Sequence, residues 1–304
     1  MLHGTFDKAL LVANPISGSC AAARWLPRVT AEFEAAGCRL ETLMTRRAGD
    51  AKEAAAAAGP NALVVAFGGD GTYNEVLNGA DLEGVTLAVI PAGAGNIFAK
   101  ELGMSWHPLQ AARQLLRGHV VRLDVGALNG RRFASVFGAG IDAWVVKVVH
   151  ERRGRGMTQW HYAPHVIWGL VQPSSWEMEV EVDGRPFADD LDQVAVGNTH
   201  SYGGPMEMTP AATPADGRFD IMCARRRDLP DVVSLMLCGF LRRLHRSRRV
   251  RYGRGMRVHV TSRRSGVPCE VDGEPAGTLP AEITMLPGAA KVLAPAGFRA
   301  LPPR

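Results

Sequence analysis

Six apolar residues, Ala62-Leu63-Val64-Val65-Ala66-Phe67, break at once into Gly68-Gly69-Asp70-Gly71-Thr72. A short apolar run ended by a turn reads as a strand buried on both faces. The pattern occurs twice more. Ala9–Ala13 leads into Asn14-Pro15-Ile16-Ser17-Gly18-Ser19, and Thr86–Ile90 into Pro91-Ala92-Gly93-Ala94-Gly95-Asn96. Helical patterns lie between: Ser19–Ala36, an alanine-rich stretch opened by Asp50 as N-cap with Glu53 at N3, and Thr72–Asn78. Arg39–Met44 reads as a further strand. Alternating strands and helices predict a parallel sheet covered on both faces, with ligands at the carboxyl ends of its strands.

Near Asp124 the pattern changes. Strands are expected at Arg132–Phe137, Trp176–Val182, Gln193–Val196, Phe219–Ala224, Met256–Thr261, Pro268–Val271, Glu282–Met285 and Lys291–Leu293. Helices are expected around Thr158–Leu170 and Leu229–His245. Many short strands with Gly/Pro turns predict a mainly-β sandwich. The 304 residues thus divide into an α/β domain over 1–124, a β-sandwich over 125–294 and a tail over 295–304.

Hydrophobic residues make up 46% and charged residues 21%, which excludes a disordered chain. The formal net charge of +5 suits anionic partners without choosing among them. Five scattered cysteines without a C-x-x-C pair argue against a disulfide framework or a zinc site. The start lacks the order of a signal peptide. The longest apolar run, Val232–Leu241, is half the ~20 residues needed to span a bilayer. A cytoplasmic protein is expected.

Each of the three glycine turns follows a strand of one parallel sheet and runs into a helix N-terminus. Free N–H groups and the helix dipole favour an anion there, and glycine lets the backbone approach it. The Walker and G-x-G-x-x-G spacings are absent. Thr72 and Glu75 also form a T-x-x-E capping box, so helix initiation alone would explain both. It does not explain Asp70. A carboxylate in an anion-binding loop makes sense if it meets Mg²⁺, which bridges carboxylate and phosphate oxygens.

The complete run Gly68-Gly69-Asp70-Gly71-Thr72-Tyr73-Asn74-Glu75-Val76-Leu77-Asn78-Gly79, with Asn14-Pro15-Ile16-Ser17-Gly18 before it, resembles the diacylglycerol kinase catalytic domain family. That family includes diacylglycerol, sphingosine, ceramide and YegS-like lipid kinases. Further matches are Gly138-Ala139-Gly140-Ile141-Asp142-Ala143, Gly197-Asn198 with Tyr202-Gly203-Gly204, Pro210-Ala211-Ala212 with Asp216-Gly217, and Asp272-Gly273-Glu274. The resemblance implies an ATP-binding α/β domain and a sandwich, with the active site in the cleft between them and the last residues returning to the first domain. It implies ATP contacts at Asn14, Pro15, Ser17, Gly18, Thr45, Gly68, Gly69, Asp70, Gly71, Thr72, Asn74, Glu75, Gly93, Ala94 and Asn96. The third turn departs from the family pattern, with Ala94 where Thr is usual.

Two apart, Asp272 and Glu274 would project from one face of an extended chain. By spacing alone, Asp-Gly is a turn signal, as is Asp183-Gly184. The resemblance raises Glu274 to proton acceptor, with Asp272 as alternative base or orienting partner. It also implies a structural Mg²⁺ at the Asp216 carboxylate and the carbonyls of Thr213 and Arg218, where the residues alone read equally as a hairpin. Arg242, Arg243, His245, Arg246, Arg248, Arg249 and Arg251, and Arg152, Arg153 and Arg155 beside Trp160 and Trp168, read either as a dock for anionic membrane or as solvated helix ends. No nucleic-acid module is present.

The expected function is ATP-dependent phosphorylation of a lipid hydroxyl, diacylglycerol-like or sphingoid-like. The alternatives are a nucleotide-binding lipid sensor or pseudokinase, an NAD kinase, which shares G-G-D-G-T, and an NAD-binding oxidoreductase. A homodimer and a peripheral place at the inner membrane face are left open.

Overall fold

A computed structural model describes residues 6, 8–18, 21–38, 40–151, 176–200, 208–225, 231, 234, 238, 247 and 249–299. The helices expected around 158–170 and 229–245 lie largely outside these residues, as do Tyr202-Gly203-Gly204 and every residue of the two basic clusters except Arg249 and Arg251. Among the described residues no helix is long and apolar enough to cross a membrane.

The chain forms two compact units, Met1–Asp124 with Gly288–Leu301, and Val125–Pro287. The first contains β1 (Lys8–Ala13), α1 (Ala21–Ala35), β2 (Leu40–Met44), α2 (Asp50–Ala56), β3 (Ala62–Gly68), α3 (Asp70–Gly79), β4 (Thr86–Pro91), α4 (Ile97–Glu101) and α5 (Pro108–Leu116). Its strands run parallel in the order β2-β1-β3-β4. Every residue of β3 and β4 is buried, which is why these segments carry no polar alternation. The chain passes from β1 outward to β2, then back across to β3. The strand order therefore reverses between β1 and β3, and a crevice opens at their carboxyl ends.

Asp50 is the first residue of α2 rather than its N-cap; Gly49 holds that place in a left-handed conformation. The Asp50 carboxylate instead accepts from the backbone N–H of Arg46 and Arg47, at 2.7 and 3.0 Å. Glu53 pairs with Arg47. The charge stays at the helix start, but it orders the preceding loop.

β5 (His119–Leu128) leads from the first unit into the second. There follow β6 (Arg131–Phe133), β7 (Val136–Gly140), α6 (Ile141–Glu151), β8 (Met178–Val182), β9 (Arg185–Leu191), β10 (Gln193–Gly197), β11 (Phe219–Ala224), β12 (Val250–Gly255), β13 (Arg257–Ser262), β14 (Pro268–Val271), β15 (Glu274–Thr278) and β16 (Ala281–Ala294). One antiparallel layer has the order β12-β11-β10-β7-β14-β15. In the other, β13 lies between β8 and the start of β16, with β9 beside β8. Phe137, Val194, Phe219, Ile221 and Val271 from the first layer share one buried core with Met178, Val180, Val258, Val260 and Ile283 from the second. This is the expected sandwich. The two strands expected at 282–285 and 291–293 are one strand, β16. Its first half pairs with β13, while Lys291 and Val292 pair in parallel with Thr86 and Leu87 of β4.

Candidate active site

In the first unit the three glycine turns leave the sheet side by side. Asn14 N–H donates to Phe67 O at 3.0 Å, and Ala92 N–H to Gly68 O at 2.8 Å. The parallel ladder thus continues into the turns. Thr45 N–H donates to Ala13 O at 2.9 Å, which places Thr45 at the same edge. The backbones of the turns approach closely at their glycines. Gly18 has φ +52°, and a Cβ there would overlap the carbonyl oxygen of Ala92; a Cβ on Gly69 would stand 3.2 Å from Gly93 Cα and 3.5 Å from Ser17 Oγ. Glycine is needed here for close approach between backbones.

Several residues expected to touch nucleotide also shape the turns. Asn14 Nδ2 donates to Thr72 Oγ1 at 3.3 Å, and Asn14 Oδ1 accepts from Ile16 N–H at 3.2 Å. Asn96, at φ +48°, exchanges two hydrogen bonds with the Gly93 backbone, at 2.8 and 2.7 Å. Asn74 is buried, and its Oδ1 accepts from Asn78 Nδ2 at 2.7 Å. Gly71 sits in the first turn of α3 and Pro15 in the first glycine turn, while Ala94 is exposed on the third.

The T-x-x-E pattern is not a capping box. The N-cap of α3 is Gly69, with no side-chain cap, and Thr72 is already the third helical residue. Glu75 Oε2 accepts from the N–H groups of Gly49 and Ala51, at 3.0 and 3.2 Å, and so caps α2. The rival reading of Thr72 and Glu75 as a self-contained helix start therefore falls.

Asp70 begins α3. Its Oδ1 accepts a long hydrogen bond from Phe98 N–H at 3.4 Å, and its Oδ2 lies 2.8 Å from where a Cβ on Gly95 would stand. The carboxylate thus spans the second and third turns. A hard oxygen donor at the start of α3, beside the glycine turns, fits Mg²⁺ beside phosphate.

In the second unit Asp272 and Gly273 are the two loop residues of the β14–β15 hairpin. Val271 pairs with Glu274, and φ is +50° at Asp272 and +79° at Gly273. Two positive φ values mark the primed turn that suits hairpin twist. The chain is not extended here, so the two acidic groups do not share a face. Asp272 is buried, and its carboxylate accepts from Ala134, Ser135 and Val136 N–H, at 2.8, 2.8 and 2.9 Å. Burial pushes its pKa up, against those three bonds. Glu274 is one-third exposed and pairs with Arg131 at 3.0 Å. Asp183-Gly184 forms the same turn between β8 and β9, and Asp183 Oδ1 accepts from Met256 and Arg257 N–H.

At the third candidate set, Asp216 Oδ1 accepts from Arg218 N–H at 3.1 Å, and Oδ2 is paired with the Arg254 guanidinium. Arg254 also reaches Asp220 at 3.3 Å, yet burial pushes Asp220 up to about 6. Thr213 is buried nearby in sequence. Both Asp216 oxygens are engaged, one of them by a cation, so these residues do not fit Mg²⁺ as arranged. Among the described residues no group of three or more His, Cys, Asp or Glu side chains is placed to hold a metal.

Sequence reasoning missed one feature of the Asp272 turn. Glu270, two residues upstream on β14, is buried, and its Oε2 accepts from Gly273 N–H at 2.7 Å. The only signal was a glutamate inside the apolar strand Pro268-Cys269-Glu270-Val271.

A parallel α/β unit whose glycine turns meet at the switch point, followed by an antiparallel sandwich, defines a two-unit α/β-plus-sandwich kinase architecture. The diacylglycerol kinase catalytic domain model matches residues 8–128, and the YegS C-terminal NAD kinase beta sandwich-like domain model matches residues 135–294. The chain is 32% identical over 284 residues to the diacylglycerol kinase of Bacillus subtilis (strain 168), covering 92% of this chain and 93% of that one. It is 29% identical over 286 residues to the diacylglycerol kinase of Staphylococcus carnosus (strain TM300), covering 92% of each. A crystal structure of a diacylglycerol kinase from Bacillus anthracis str. Sterne shares the fold, with a TM-score of 0.73 at 23% identity over 97% of this chain and 99% of that one. The chain belongs to the diacylglycerol kinase catalytic domain family.

Proposed function

We propose that this protein transfers the γ-phosphate of ATP to the hydroxyl group of a lipid, diacylglycerol-like or sphingoid-like. The observation that carries this reading is the close backbone approach of the three glycine turns around Asp70. The relatives named diacylglycerol kinase support the choice of acceptor.

Backbone N–H groups of the turns and the start of α3 hold the phosphates. Asp70 would hold a Mg²⁺, which would neutralise phosphate charge. The acceptor oxygen attacks the γ-phosphorus, the bond to the β–γ bridging oxygen breaks, and ADP leaves. The hydroxyl proton passes to Glu274, whose carboxylate Arg131 orients. Asp272 has three backbone donors on its carboxylate, so its role is to orient the turn.

Peripheral docking on anionic membrane is supported by one face of the first unit. Trp106 is 58% exposed, and the Trp25 ring meets the His107 ring at 4.7 Å. The Arg24 and Arg28 guanidinium groups lie 5.7 and 5.2 Å from the Trp25 ring. Amphipathic aromatic rings with arginines suit the headgroup layer.

The test is radiolabelled phosphate transfer from ATP to a panel of diacylglycerol, sphingoid base, ceramide, phosphatidylglycerol and isoprenoid alcohol, each offered in vesicles with and without anionic lipid. Labelling of one acceptor, faster on anionic vesicles, is the expected result. ATP binding with no acceptor labelled would establish the sensor reading instead. The hydroxyl absent at Ala94 gives a second prediction. Ala94→Thr should lower the KM for ATP by up to about tenfold, the worth of one neutral hydrogen bond. An unchanged KM would show that the third turn binds through its backbone alone.

A further inference from the structure

Glu270, which is buried, and Asp142, half-buried with its Oδ2 inside, form a carboxyl pair beneath the Asp272-Gly273-Glu274 turn. Asp142 is the second residue of α6, and Glu270 lies on β14. Gly138 of β7 lies between them: a Cβ there would collide with Asp142 Oδ2 and stand 2.7 Å from Glu270 Oε1. Asp142 Oδ2 is buried with no hydrogen-bond partner, while Oδ1 accepts from Ala143 N–H at 2.7 Å. Glu270 Oε2 is already committed to Gly273 N–H, as acceptor.

Two ionised carboxylates flanking one Cβ position, with their facing oxygens out of water, would repel without compensation. One proton between Glu270 Oε1 and Asp142 Oδ2 relieves the repulsion and satisfies the unpartnered oxygen. We propose that Glu270 is a positioning residue: held as a neutral acid, it donates to Asp142 through one oxygen and fixes Gly273 through the other, so that the hairpin presents Glu274 in one geometry. This rests on the reading of Glu274 as proton acceptor.

The other charged or titratable groups around the pair are Asp272 and Glu274 on the hairpin, Arg131 on β6, and the neighbouring Cys269 thiol, itself pushed up to about 12 by burial. Of these only Arg131 is cationic, and it is paired with Glu274. Burial, then the neighbouring Asp142 charge, pushes Glu270 well above the usual carboxylate range. Burial likewise pushes Asp142 up to about 7. Both groups bind protons more tightly in the folded chain than in the unfolded one. The stability they contribute is therefore full below the ordinary carboxylate range, and it is lost as pH rises through the folded values.

The test compares wild type, Glu270→Gln and Glu270→Leu from pH 5 to pH 9, by phosphate transfer to the lipid identified above and by thermal unfolding. Gln keeps both hydrogen bonds without a titrating proton. It should retain kcat at low pH, lack the wild type's decline in kcat as pH rises, and unfold at a temperature less dependent on pH. Leu removes the acceptor for Gly273 N–H and should lower kcat at least tenfold at every pH, with KM for ATP unchanged. A Gln variant with the wild type's pH profiles, or a Leu variant with its kcat, overturns the proposal. The unfolding profiles need no substrate, so the pair is tested even if no lipid is phosphorylated.

Discussion

Glu274→Gln is expected to lower kcat by about 10²–10⁴-fold, the range for losing a positioned general base. The dissociation constant for ATP and the unfolding temperature should stay close to wild type. Glu274 is part-exposed at the first position of β15, and its polar contacts are with Arg131, so an isosteric amide disturbs little else. Asp272→Asn should behave differently. An amide nitrogen would face at least one of the three N–H groups now bonded to carboxylate oxygen. Leaving a buried donor unsatisfied costs about 1–3 kcal/mol. That variant should lose both turnover and thermal stability. Steady-state kinetics with calorimetry separates the two roles. Near-normal turnover in Glu274→Gln would remove it as the base.

Gly18→Ala should raise the dissociation constant for ATP by at least about 10²-fold and destabilise the first unit. Two effects combine. A left-handed conformation costs a non-glycine residue roughly 1–2 kcal/mol. The new Cβ would also overlap the Ala92 carbonyl oxygen, which is backbone and has no rotamer to yield. Overpacking of this kind costs typically about 1–3 kcal/mol. The first and third turns would have to part, and with them the N–H groups that converge on phosphate. Gly103→Ala is the control. Its φ is +72°, but a Cβ there meets nothing within 4 Å. It should lose stability to conformation alone and bind ATP normally. Equal ATP binding by both variants would show that the contact between the turns is not needed.

The α/β half of the fold is legible because its strands are continuous apolar runs ended by glycine, a pattern that local sequence carries whole. The glycine turns were found for the same reason. What was illegible depends on partners distant in the chain. Glu75 looks like the end of its own helix's capping box, but it caps α2, whose N-terminus lies more than twenty residues away. Asp272 looks like half of an acidic pair, but its oxygens serve the β6–β7 segment. β9 was missed because Arg185-Pro186-Phe187-Ala188-Asp189-Asp190-Leu191 is polar and carries proline, as an edge strand can. β15 lies at the edge of its own layer and was missed likewise. Glu270 is the instructive case. Its environment comes from α6 and β7, more than a hundred residues upstream, and nothing beside it in sequence announces that it is buried against another carboxyl.

The last strand has a bearing on how the molecule is made. Lys291 and Val292 pair with β4, a strand finished some two hundred residues earlier. During synthesis, β4 leaves the ribosome with one flank of unpaired, largely apolar strand, and it keeps that flank bare until β16 has emerged. Such an edge is a template for pairing with foreign strands. The nascent protein is thus most exposed to aggregation late in translation. A chain cut short after the first family match, at Leu128, would carry that open edge permanently, although it contains every glycine turn.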